Sequence, residues 1–158
     1  PKGGLHHIHT TAAPSADFYV KLTYNDFVYF NERELLFKVA PDDPSLLMNS
    51  IESYDEDGYF RCTDMRRFYR SAEEYDQKLK DYIRMTPKEC ESRESHEVWT
   101  HFQHKFTLIN GKRMFSLNLD LGKYKEFFKL ILEEILVKCY LQKIYVVELR
   151  HIAGLLFA

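Results

Sequence analysis

The chain has 158 residues, 45% of them hydrophobic and 29% charged, with a formal net charge of -2. That is length enough for one globular domain with its own core, and the near balance of charge leaves no basic field for phosphates, which counts against a nucleic-acid partner. No run approaches the roughly 18 consecutive apolar residues of a membrane span, so no membrane partner is expected.

Residues 5–9 are a short mixed run of apolar residues and histidines, closed by Thr10, Thr11, Ala12, Ala13 and Pro14. The pattern is that of a strand ending in a small-residue loop. Ser15 is placed to cap a short helix over residues 17–22. Runs 27–30 and 35–39 are rich in β-formers and separated by Asn31, Glu32, Arg33 and Glu34, which predicts a hairpin. The polar, turn-rich stretch 41–58 reads as surface loop with a helical patch near 46–51.

From 63 to 85 the apolar residues recur at helical spacing, with Phe68, Ala72, Tyr75, Leu79 and Tyr82 on one stripe. Thr86 and Pro87 end that helix, and 88–94 is a charged linker. A second helix spans 95–109 with Val98, Phe102 and Phe106 as its apolar face, and Asn110-Gly111 stops it. A third, over 122–141, sets Tyr124, Phe127, Phe128, Ile131, Ile135 and Cys139 against Lys125, Lys129, Glu133, Glu134 and Lys138. Residues 144–149 then form a strand rich in β-branched and aromatic residues, of the parallel type covered on both faces. The apolar run 154–158 after it needs a cover, either the remainder of a larger domain or another protein, so the chain reads as a fragment.

Cys62, Cys90 and Cys139 are widely spaced and odd in number, with no disulfide or metal framework among them. There is no Asn-X-Ser/Thr acceptor and no secretory signal, which favours an intracellular compartment. The first residue is Pro1, so the natural start is expected upstream, and secretion stays open.

In His7-Ile8-His9, strand alternation puts two imidazoles on one face, within reach of one metal ion, while His6 points the other way. Alone, the pair fits a metal site, surface histidines or satisfied core histidines. His101 and His104 lie one turn apart on a helix, an arrangement that suits a solvated face as well as a metal, and His96 and His151 have no ligand context.

The run Pro1-Lys2-Gly3-Gly4-Leu5-His6-His7-Ile8-His9 resembles the first-strand signature of the adenosine deaminase family. The Gly-Gly pair and the extra residue before the histidines resemble its adenosine deaminase-related growth factor branch. Downstream, Leu22-Thr23-Tyr24 looks like that branch's entry to an inserted receptor-binding region. Val98-Trp99-Thr100-His101-Phe102 resembles the stretch after the insertion. Tyr145-Val146-Val147-Glu148-Leu149-Arg150 is similar to the family's second barrel strand.

The resemblance implies an α/β fold, a partial (β/α)8 barrel of two strands with an α+β insertion between them. Its parts would be residues 1–24, 25–94 and 95–158. It also implies hydrolytic deamination of adenosine to inosine, with a purine nucleoside as substrate and zinc as cofactor. His7 and His9 match the first two zinc ligands, Thr10 and Trp99 the substrate-binding positions. No catalytic residue falls in this chain, because the family's remaining ligands and its catalytic Glu and His lie on later strands. Thr10 departs from the pattern, standing where the family has an Asp that holds the ribose. Cys62 lies near one cysteine of the branch's disulfide, but Val28 occupies about the partner's place. An alternative is a degenerate, non-catalytic deaminase-like module kept as a structural or assembly subunit. A third is a receptor-binding module built around residues 27–85.

Overall fold

A computed structural model describes residues 3–40, 58–91, 94–110 and 121–151. Residues 41–57 of the loop expected over 41–58, the stop at Gly111 and the apolar run 154–158 lie outside the described residues.

The first strand, β1 (Gly3–His9), runs into a 3-10 turn at Thr10–Ala12 and then helix α1 (Ala16–Leu22). The Ser15 hydroxyl accepts from the Phe18 amide at 3.3 Å, the cap that its position predicts. Strands β2 (Val28–Asn31) and β3 (Leu36–Val39) form the expected antiparallel hairpin. Its turn is shaped by Asn31, whose side-chain oxygen accepts from the amides of Arg33 and Glu34 at 2.9 and 3.0 Å. Leu35 closes that turn at φ 51°, a left-handed conformation costly for a γ-branched residue. A two-residue strand, β4 (Phe60–Arg61), pairs antiparallel with β2 and completes a sheet of order β3-β2-β4. It is too short to leave a periodic signal.

The helix expected over 63–85 is two helices, α2 (Cys62–Phe68) and α3 (Ala72–Ile83). Ser71 breaks the run: its hydroxyl accepts from the Glu74 amide at 3.2 Å and caps the start of a new helix. Phe68 therefore leaves the predicted stripe and is 66% exposed, while Tyr75 and Leu79 are buried as the spacing requires. The expected linker begins with a short helix, α4 (Pro87–Glu91). Thr86 and Glu89 cap each other, with Pro87 at the first helical position, so that the pair that looked like a stop is a start.

Helix α5 (Ser95–Asn110) follows, then α6 (Lys125–Leu141) and strand β5 (Ile144–Arg150). In α6 the predicted stripe holds, with Phe127, Ile131, Ile135 and Cys139 buried. In α5 it does not: Phe102 is exposed, and the buried residues are Leu108 and Ile109.

β1 and β5 pair in parallel as a separate two-stranded sheet. Ile144, Val147 and Leu149 pack on the core from one face. The strand was expected to be covered on both faces, but among the described residues Tyr145 is 75% exposed and Val146 is exposed too. Tyr19 and Val20 of α1, the hairpin, Tyr75, Leu79, Leu108, Leu121 and the α6 stripe share one core cluster. The architecture is mixed α/β, with helices around two small sheets.

Candidate metal centre and aromatic groove

His7 and His9 stand at the C-terminal end of β1, where the strand is irregular. Leu5 pairs with Val147 and Ile8 with Leu149, so three steps along β1 meet two along β5. That is a one-residue bulge around His6 and His7, a device that re-aims side chains at strand ends. A second shift lies at Gly3, whose φ of +72° suits glycine, and Gly4 lies close enough to β5 that a Cβ would sit 3.3 Å from the Val146 Cβ.

Past the bulge, alternation returns and the two rings converge. Their Nε2 atoms are 3.3 Å apart and the ring centroids 5.1 Å. The spacing has a direct meaning for a metal. Two nitrogens about 2.05 Å from one zinc ion, at the tetrahedral angle of about 109°, lie about 3.3 Å from each other. The same spacing lets one neutral imidazole donate to the other. The residues present therefore fit two of the four positions of a zinc site. Among the described residues no group of three or more His, Cys, Asp or Glu gathers around one point.

Thr10 follows at once and is buried, 1% exposed. Its hydroxyl donates to the carbonyl of Arg150 at 3.2 Å, clamping the end of β1 to the end of β5. Register puts Arg150 beside His9, and Arg150 pairs with Glu148 at 2.6 Å.

On the other side of His9 lies a groove of about 460 Å³, a size that suits a small-molecule site. Its walls include Ala12, His9, Trp99, Phe102, His104 and Phe106. The rings of α5 form a ladder towards the histidine pair: Trp99 stacks on Phe102 at 5.6 Å, Phe102 on Phe106 at 6.2 Å, and Phe106 meets His9 edge-on at 6.0 Å. The structure thus brings Trp99 and His9 to one groove. Trp99 is 60% exposed, so it lines a surface and not the core.

His104 and Phe106 were missed as groove residues. Their helical spacing reads as core or solvated face, and only the packing of α5 against the turn after β1 reveals the groove. His101 is engaged elsewhere, 2.7 Å from Glu89 Oε1. Cys62 is fully enclosed, and burial pushes its thiol up to about 12, which removes it as a nucleophile. No helix of the described residues is long and apolar enough to cross a membrane. Comparison with protein-family models, curated proteins and solved structures finds no match for this chain.

Proposed function

We propose that the chain is the N-terminal part of a zinc-dependent adenosine deaminase-like hydrolase, with His7 and His9 as two ligands of the metal. The observation that supports it best is the 3.3 Å separation of the two Nε2 atoms, which is the bite of a tetrahedral zinc ion. The order β1, insertion, α6, β5, with β1 and β5 side by side and parallel, is compatible with the first two strands of a (β/α)8 barrel. In such a barrel, sites form at the C-terminal ends of the strands, where the pair stands.

Zinc held there would supply Lewis acidity for hydrolysis of a purine amine. The chain's own residues would do three other things. His7 and His9 would fix the ion at the strand end. Trp99, Phe102 and Phe106 would offer flat apolar faces to a purine ring and exclude water from it. Thr10 would hold the mouth of the two strands in shape through Arg150, leaving its hydroxyl occupied by backbone.

That last contact favours a second reading, a degenerate module. With the Thr10 hydroxyl turned to the Arg150 carbonyl, the position that would hold a ribose is engaged in structure.

Zinc titration by calorimetry tests the metal reading directly. One equivalent should bind, and His7→Ala or His9→Ala should abolish binding. Uptake that survives both substitutions would refute it. Adenosine then separates the two readings: inosine formation by the zinc-loaded protein together with the remaining barrel strands supports the hydrolase. Zinc uptake without inosine supports the degenerate module.

A further inference from the structure

Resting on the zinc reading of His7 and His9, we propose that Phe106 is a positioning residue, fixing the His9 ring so that its Nε2 converges on that of His7. An exposed histidine on a strand turns with little restraint about its outer torsion, which is broad and roughly two-fold. A chelating pair needs both nitrogens turned to one point, and each free rotor spreads the donors over orientations that cannot share an ion.

His7 and His9 are both exposed, so the backbone alone does not hold them. Phe106 supplies the restraint. Its ring meets His9 at 6.0 Å with an interplanar angle of 81°, the edge-to-face geometry that aromatic pairs prefer.

The support is itself held. Phe106 stacks on Phe102 with 28° between the planes. Two and three residues on, Leu108 and Ile109 are buried in the core. Just before it, Lys105 donates to the Asp81 carbonyl at 2.6 Å, and five residues before it His101 bonds Glu89 at 2.7 Å. Helix α5 is thus anchored independently of His7 and His9, and Phe106 transmits that anchor to His9. Groups that orient a metal-binding histidine from outside commonly govern affinity without touching the metal.

The test compares wild type, Phe106→Leu and Phe106→Tyr by zinc calorimetry, and by proton-carbon NMR of the histidine rings in the metal-free protein. Phe106→Leu keeps an apolar side chain and loses the ring. It should weaken zinc binding about 3- to 10-fold and shift the His9 ring signals as the ring current disappears. The amide spectrum away from α5 should stay in place. Phe106→Tyr keeps the ring and should restore both readouts. Phe106→Met gives a second ring-free variant if the amide spectrum of Phe106→Leu changes throughout. Equal zinc affinity in the ring-free variants, or unmoved His9 signals, would overturn the positioning role alone. A wild type that binds no zinc would overturn the zinc reading and this role with it.

Discussion

Two regions of this molecule treat polar groups in opposite ways. Around Arg66 the charges are enclosed and every contact closes a loop in the packing. Arg66 is 7% exposed. It bonds the carbonyl and hydroxyl of Thr23 at 2.9 and 2.7 Å, and pairs with Asp76 at 2.7 Å. Tyr24 lies over its guanidinium at 3.7 Å and donates to the other Asp76 oxygen at 2.7 Å. This knot ties the end of α1 to α2 and α3. At the end of β1 the histidines, the Glu148–Arg150 pair and the α5 rings of Trp99 and Phe102 are open to solvent. The first arrangement ties elements of the fold together, and the second leaves its donors facing solvent.

Breaking the knot should have the largest effect. Arg66→Met strands a part-buried carboxylate and is expected to destabilise the protein by about 3–4 kcal/mol in chemical denaturation. The equivalent change at the open end, Arg150→Met, should cost less than about 1 kcal/mol, because that ion pair is half exposed. Equal losses would erase the distinction between the regions.

Glu89 falls between the two extremes and makes the comparison depend on pH. Hydrogen bonding from the Thr86 amide, aided by His101, the Thr86 hydroxyl and Lys105, holds its carboxyl at about 2 against an ordinary 4.5. A depressed pKa gives stability that is complete above 4.5 and is lost as pH falls through about 2. Glu89→Gln should remove about 2 kcal/mol at neutral pH, after allowance for partial exposure. Its stability curve between pH 4.5 and 2 should then be flatter than that of the wild type.

Smaller still is the clamp at the end of the sheet. Thr10→Val removes the bond to the Arg150 carbonyl and should cost about 1 kcal/mol. Smallest is a gain: Lys143 sits at φ 58° just after α6, and Lys143→Gly should stabilise by about 0.5–1 kcal/mol in thermal melts.

What was legible in the sequence follows from what packs against each element. Helix α6 was readable because burial on one face imposes a period, and residues 144–149 because β-branched and aromatic residues run together there; their partnership with residues 5–9 was implied only by the family resemblance. The break at Ser71 was hidden, since α2 and α3 both continue the same apolar spacing and only a capping hydroxyl separates them. Thr86-Pro87 carries its signal openly, as a cap with Glu89 three residues on, but a proline after an apolar stripe also has the pattern of a helix stop. The histidine pair was legible as a pattern. Its 3.3 Å geometry was not, because a bulge that changes strand register has no sequence period. Phe102 and Phe106 read as core because spacing records which side of a helix is apolar, not whether anything covers it.

Trp99 has a practical consequence. It is the single tryptophan of the chain, and it stands at the lip of the groove, away from the core. Its emission in the native protein should already be that of a water-exposed indole, so unfolding will change its colour little. Quenching or a blue shift would instead report that something has entered the groove. The protein carries an intrinsic dye for occupancy, and its folding is better followed by circular dichroism.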